Sequence, residues 1–264
     1  MKRYLRELFA EAAAEELRLP RWLVHLYLAL LEPPLGKTIR LDLLRSVLRG
    51  YSVRGERWLD LGCGIGDLTL RLAACGAKAV GIERDEHKVA RATAVASRAG
   101  LYSARFLAAD VCRLRELELG LFDGVCCLAI LEHIWDDLAL LREIAAVLRP
   151  GGLLVLQVPA AGRKLLPAAE REDGHVRPGY TVPEMYALLE ACNFRVARYD
   201  SRDPLNLMYY WCLCAWLLAG VFSGRRLRGP CFAALAPLFL PLIRFSSRCI
   251  RRAGSELAFL AVRC

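Results

Sequence analysis

The stretch RWLDLGCGIGDLTL, Arg57–Leu70, constrains this chain more than any other. Trp58, Leu59 and Leu61 form a short apolar run that predicts a buried strand. Gly62, Gly64 and Gly66 follow as a tight turn, and Leu68, Leu70 and Leu72 open a helix. Strand, glycine turn and helix in that order predict a site for a nucleotide-like ligand. Glycine lets the backbone take unusual φ/ψ and approach a ligand closely, and the helix N-terminus presents free N–H groups.

Spacing narrows the choice. A dinucleotide fingerprint needs a third glycine at position 67, and Asp67 stands there. The loop reads G-x-G-x-G with Asp60 two residues ahead. It resembles motif I of the class I S-adenosylmethionine (SAM) methyltransferases. The resemblance implies SAM as cofactor, with Asp60, Gly62, Cys63, Gly64 and Gly66 around it. It also implies an α/β, Rossmann-like, seven-stranded and mostly parallel sheet of order 3-2-1-4-5-7-6, with the last strand antiparallel. A plain βα turn and a nicotinamide-dependent oxidoreductase are the alternatives, and Asp67 speaks against the second.

From 57 to 158 strands and helices alternate at βαβ spacing, which predicts a parallel sheet. The strands are expected at 57–61, 78–83, 104–109, 122–128 and 152–158, and the helices at 67–75, 85–99 and 136–148. Ligands in such a sheet sit beyond the carboxyl ends of the strands. Glu83 ends the second strand, about 20 positions after the glycine turn, where an acid accepts ribose hydroxyls. Asp110 ends the third. In the methyltransferases this chain resembles, that Asp receives the adenine amino group and the next backbone N–H, here Val111, meets the ring. A helix N-cap is the alternative for Asp110. Arg84 and Leu128 complete the expected cofactor set.

LAILEHIWDD, after strand four, resembles the ubiquinone and menaquinone methyltransferase group, which often carries L-E-H. There His133 is placed to orient or deprotonate an acceptor hydroxyl; a structural histidine at a helix start is the alternative. LRPGGLLVLQVP, 148–159, resembles the family's entry to strand five. GHVRPGYTVPEMYALLEACNF, 174–194, resembles a bacterial methyltransferase group often associated with envelope-glycan or polyprenyl-lipid pathways, with Asn193 where Gly is usual. His175, Arg177 and Tyr180 fall in the loop expected to face the acceptor, His175 as a second candidate base and Arg177 and Tyr180 as acceptor-binding residues. Thr181 and Glu184 predict a capping box. No metal constellation stands out. The resemblance covers roughly 57–200 and a last strand at 257–263.

Net charge is +9, but residues 201–264 carry nine arginines and two acids, and this segment is also the most apolar. Arginines flanking apolar runs suit a membrane surface better than a nucleic acid. Eleven cysteines without a C-x-x-C pair point to reduced, cytosol-side thiols. Charges spread through Met1–Leu19 do not fit a secretory leader. Residues 1–52 read as an N-terminal helical extension, either capping the cofactor site or packing on the sheet edge, ahead of a methyltransferase domain at 53–264.

Strands six and seven, expected at 195–200 and 257–263, are separated by an apolar helical insert, 204–253. Leu205–Phe222 is uncharged for 18 residues, about 27 Å of helix and barely a bilayer core. A two-span hairpin would carry Arg225, Arg226 and Arg228 across the membrane, against the positive-inside tendency. An interfacial or re-entrant pair of helices would keep them on anionic headgroups, each contributing roughly 1 kcal/mol. A soluble lid or dimer face is the third possibility. Arg244, Arg248, Arg251 and Arg252 fall at near-helical spacing, as a headgroup stripe or a solvated face. These features lead to methyl transfer onto an oxygen, less readily a nitrogen or carbon, of a lipid-linked or amphipathic small molecule at the inner face of the cell membrane. The alternatives are a soluble small-molecule methyltransferase and a non-catalytic membrane adaptor that retains the fold.

Overall fold

The first strand, β1 (Arg57–Leu61), is buried from Trp58 to Leu61 and has a parallel neighbour on each edge. It pairs with β2 (Lys78–Glu83) through Asp60↔Gly81 and Leu61↔Ile82, and with β4 (Phe122–Leu128) through Trp58↔Gly124 and Leu61↔Cys127. Opposite Trp58 only glycine fits: a Cβ on Gly124 would lie 2.6 Å from the indole. In this computed structural model the described residues are 35–163, 174–203, 205–207, 209–210, 213–214, 239, 241–247, 249 and 254–264. The expected N-terminal helices before residue 35 and most of the 204–253 insert lie outside them.

The sheet order is β3-β2-β1-β4-β5-β7-β6, as the resemblance implied. Here β3 is Ala104–Ala108, β5 Leu148–Pro159, β6 Phe194–Arg202 and β7 Glu256–Arg263. β7 runs antiparallel to both β5 and β6. β5 begins at Leu148, ahead of the expected 152, so Pro150-Gly151-Gly152 lies inside it. It forms an irregularity within the strand, where the register with β4 jumps from Phe122↔Leu148 to Gly124↔Leu153.

Helices cover both faces. α1 (Leu35–Val47), α2 (Asp67–Ala74) and α3 (Glu86–Arg98) pack Ile39, Leu43, Leu70 and Val95 on one side. α4 (Asp137–Val147) and α5 (Val182–Ala191) pack Leu140, Leu141, Ile144, Met185 and Leu189 on the other. α1 is the described helix of the N-terminal extension, and it touches both expected places. Ile39 and Val47 are buried against the sheet, while Arg40 and Leu41 line the cavity at the glycine turn. α5 starts in the expected capping box of Thr181 and Glu184 and is followed by Asn193 at φ 59, the left-handed conformation that Asn tolerates.

The insert leaves and rejoins the domain at a single buried carboxylate. Asp203 accepts from Leu207 N at 2.5 Å and Ser255 Oγ at 3.1 Å, and its own N–H donates to Ser247 Oγ at 3.1 Å. Arg244 does not join a free headgroup stripe: its Nε donates to Asp42 Oδ2 of α1 at 2.7 Å. Arg248, Arg251 and Arg252 lie outside the described residues. Among the described residues no helix is long and apolar enough to cross a membrane. The described cysteines are all free thiols, and Cys126 and Cys127 are buried in β4.

Candidate active site

The carboxyl ends of β1 and β4 open onto two adjoining cavities. The first, ≈ 310 Å³, is lined by Asp60, Gly62, Cys63, Gly64, Asp67 and Leu128 from the sheet and glycine turn, and by Arg40 and Lys88. The second, ≈ 320 Å³, is lined by Ala129, Ile130, Glu132 and His133 from the turn after β4, by Gln157, Arg163 and His175, and by Glu256 at the start of β7. Arg40, Gly62 and Leu128 border both.

The glycine turn holds its shape by positive φ at Gly62 (+61), Gly64 (+55) and Gly66 (+85). Asp60 is 4 % exposed and accepts from Thr69 Oγ1 at 2.7 Å, which ties the strand end to α2. Burial pushes its carboxyl up to about 7, only partly offset by Thr69. Glu83 accepts from Gly64 N at 3.0 Å and Asp85 N at 3.2 Å, so it also braces the turn. Asp110 takes the N-cap alternative: its side chain accepts from Cys112 N at 2.9 Å. Val111 packs against the core on the α4 side. Arg84 is exposed and, like Glu83, Gly66, Asp110 and Val111, is not among the residues that line the two cavities. A cofactor with an amino group, a carboxylate, ribose hydroxyls and a base matches this donor set. Asp60, Asp67 and Glu83 would be the acids for hydroxyl and ammonium groups, Arg40 and Lys88 the cations for a carboxylate, and the glycines would leave room for close approach.

His133 and His175 meet at the second cavity, ring centroids 4.6 Å apart and edge to face. His133 Nδ1 donates to the Gly174 carbonyl at 3.3 Å, which leaves Nε2 as the basic nitrogen. Arg163 Nη2 donates to His175 Nδ1 at 3.3 Å, which leaves the imidazole proton on Nε2. Glu132, His133 and His175 place potential metal-ligand atoms within 4.8 Å of one another. Arg163, a cation already seated on His175, shapes this trio for holding and moving a proton instead.

Arg177 and Tyr180 are not where an acceptor-binding role needs them. Tyr180 is fully buried; its hydroxyl lies 3.2 Å from both Leu131 O and Asp137 Oδ2 and shares its one proton between them. Arg177 pairs with the same carboxylate at 3.0 Å and lies over the Tyr180 ring. Together they hold the L-E-H turn from beneath, so they position His133 and leave the cavity wall to others.

Those others escaped the sequence reading. Gln157 is 4 % exposed and donates through Nε2 to Glu256 Oε2 at 2.6 Å, and Arg163 Nη1 pairs with Glu256 Oε1 at 3.3 Å. Burial pushes Glu256 up to about 7 against the pull of Arg163 and Arg40. Asp60 and Glu256 therefore hold protons more tightly folded than unfolded. Their stabilising contribution is complete below the ordinary carboxylate range, about 4, and is lost as pH rises through about 7. The melting temperature of the ligand-free protein should fall from about pH 5 to about pH 8, and Glu256→Gln should flatten part of that fall. A flat wild-type profile would remove both buried acids as its cause.

The comparisons with known proteins agree with this geometry. The model of the methyltransferase domain family matches residues 34–199, more than half of the chain. The ubiquinone biosynthesis O-methyltransferase of Xanthomonas campestris pv. campestris (strain B100) is 36% identical over 133 residues, 47% of this chain and 52% of the relative. That of Bordetella avium (strain 197N) is 35% identical over 101 residues, 38% of this chain and 42% of the relative. The chain thus spans about half the length of the curated relatives it matches. Among solved structures, the [4+2]-cyclase SpnF superposes at TM-score 0.58 with 25% identity, over 85% of this chain and 80% of that one. Magnesium protoporphyrin IX methyltransferase from Synechocystis PCC 6803, with bound S-adenosylhomocysteine, superposes at TM-score 0.52 with 20% identity, over 86% and 83%. The chain belongs to the methyltransferase domain family, whose model covers the glycine turn and the carboxyl ends of β1 and β4 that open onto both cavities.

Proposed function

We propose that this chain methylates a hydroxyl oxygen of an acceptor seated in the cavity of His133 and His175. One observation carries the reading: the histidine cavity shares a wall, Arg40, Gly62 and Leu128, with the glycine-turn cavity. When bound, SAM supplies a methyl group already activated on sulfonium. The protein's work is then alignment at near-attack distance and exclusion of water. His133 Nε2 receives the acceptor proton, and the Gly174 carbonyl fixes the ring for that task. Arg40 holds the cofactor carboxylate at the seam of the two cavities. A neutral hydroxyl is a weak nucleophile until its proton is taken, and the histidine pair is placed to take it as the methyl–oxygen bond forms. The O-methyltransferase names of the Xanthomonas and Bordetella relatives support oxygen as the acceptor atom.

The acceptor, in this reading, is lipid-linked or amphipathic, and the protein is cytoplasmic and peripheral at the inner membrane face. The support is the apolar composition of 204–253 together with its described edge, where Leu242 is 54% and Phe245 67% exposed. Sedimentation with phosphatidylglycerol-containing vesicles tests it. Binding should exceed that to phosphatidylcholine vesicles, and Phe245→Glu should weaken it about tenfold. Equal recovery in the supernatant with and without vesicles would leave the soluble enzyme, with 204–253 as a lid or dimer face. Isothermal titration with SAM tests the catalytic half; absence of binding by folded protein would favour the non-catalytic adaptor.

A further inference from the structure

We propose that the group entering the histidine cavity is a hydroxyl-rich saturated ring, of the sugar or cyclitol class, held by Gln157. This rests on the methyltransferase reading of the site and names its acceptor. The cavity wall is mostly hydrogen-bonding: Glu132, Gln157, Glu256 and Arg163 face it, and its apolar part is Leu128, Ala129 and Ile130. Apart from the two imidazoles, no aromatic ring lines it among the described residues. Flat aromatic acceptors are ordinarily gripped by apolar and aromatic faces, which this wall does not offer.

Two enclosed atoms specify the chemistry further. Gln157 Oε1 and Arg40 Nε are buried without a hydrogen-bond partner among the described residues. With Glu256 ionised, Gln157 turns its Nε2 to that carboxylate. Its Oε1 can therefore only accept. A ligand hydroxyl donates to that oxygen; an apolar group set against it would leave it buried and unmet. Residues that can accept (Gln157, Glu132, His133) and residues that donate (Arg40, Arg163) line one space of ≈ 320 Å³, near the lower end of ligand pockets, roughly 300–1,000 Å³. Each ring hydroxyl both donates and accepts, so neighbouring hydroxyls satisfy such a mixed wall, with one of them left facing His133. Any lipid portion of the acceptor stays outside.

The test is saturation-transfer NMR on the full chain loaded with S-adenosylhomocysteine. The probes are methyl α-D-mannopyranoside, methyl α-L-rhamnopyranoside and myo-inositol, set against 3,4-dihydroxybenzoate. Transfer to at least one polyol probe and none to the benzoate is expected. Gln157→Leu should weaken the polyol signal about tenfold, Gln157→Asn should restore part of it, and both should keep calorimetric SAM affinity, which also reports that the variants fold. Transfer to the benzoate alone, or to none of the probes, from protein that binds SAM overturns the polyol assignment and leaves the methyltransferase reading standing. Failure of wild-type protein to bind SAM overturns the methyltransferase reading instead, and the acceptor assignment with it.

Discussion

Gly62→Ala should abolish SAM binding in a protein that still folds. Gly62 sits at φ +61, and an alanine Cβ there would lie 2.1 Å from Ile130 Cδ1. Two costs add. The left-handed conformation of a non-glycine residue costs about 1–2 kcal/mol. The collision forces either the turn or Ile130 to move, and Gly62 borders both cavities while Ile130 lines the second. Gly64 supplies the contrast. Its φ of +55 carries similar backbone strain, but a Cβ there meets no protein atom within 4 Å. Gly64→Ala should therefore lower stability by only about 1 kcal/mol, and any larger loss of SAM affinity must come from contact with the cofactor itself. Calorimetric titration paired with thermal melts separates these cases. Unchanged SAM affinity in Gly62→Ala would show that the turn relaxes without consequence, and would move the cofactor away from it.

How much of this was legible in the sequence depends on whether a residue's role follows from its local neighbours. The strand-turn-helix at 57–70, the capping box at Thr181 and the left-handed Asn193 are local devices, and the structure has them where the chain predicts them. The sheet order followed from the motif's resemblance. Asp110 shows the limit, since the same residue type at a strand end serves a cap as well as a ligand. Arg177 and Tyr180 show another. Their loop does approach the acceptor side, but a buried Asp137 from α4, invisible as a neighbour in sequence, draws both inward. The wall of the second cavity is assembled from α1, β5, the loop after it and β7, segments over 200 residues apart, such as Arg40 and Glu256. The available signal was a polar residue interrupting an apolar strand, Gln157 in LLVLQVP and Glu256 before LAFLAV. Such an interruption in a strand buried on both faces marks either a satisfied core group or a site, and only the antiparallel pairing of β5 with β7 brings the two side by side.

His133→Gln should lower kcat by about 10²- to 10⁴-fold while SAM affinity stays unchanged, the range ordinarily supplied by a positioned general base. Glutamine keeps much of the ring's volume and polarity but cannot take up a proton near neutral pH. His133 lines the second cavity and not the first, so a cofactor effect is not expected. Tyr180→Phe should act on the same step through position. It removes the hydroxyl that donates to Leu131 O, the first residue of the turn carrying His133, and leaves the packed ring in place. Its loss in kcat should be smaller, about tenfold, with stability down by about 1 kcal/mol. The two effects should not add. Once His133 is gone, displacing its turn has little left to impair, so the double variant should match His133→Gln within about threefold. An additive double variant would place Tyr180 in a role of its own. A His133→Gln enzyme with wild-type kcat would pass the proton to His175, whose Nε2 already carries one in this arrangement, or show that the methyl goes to an atom that has no proton to lose.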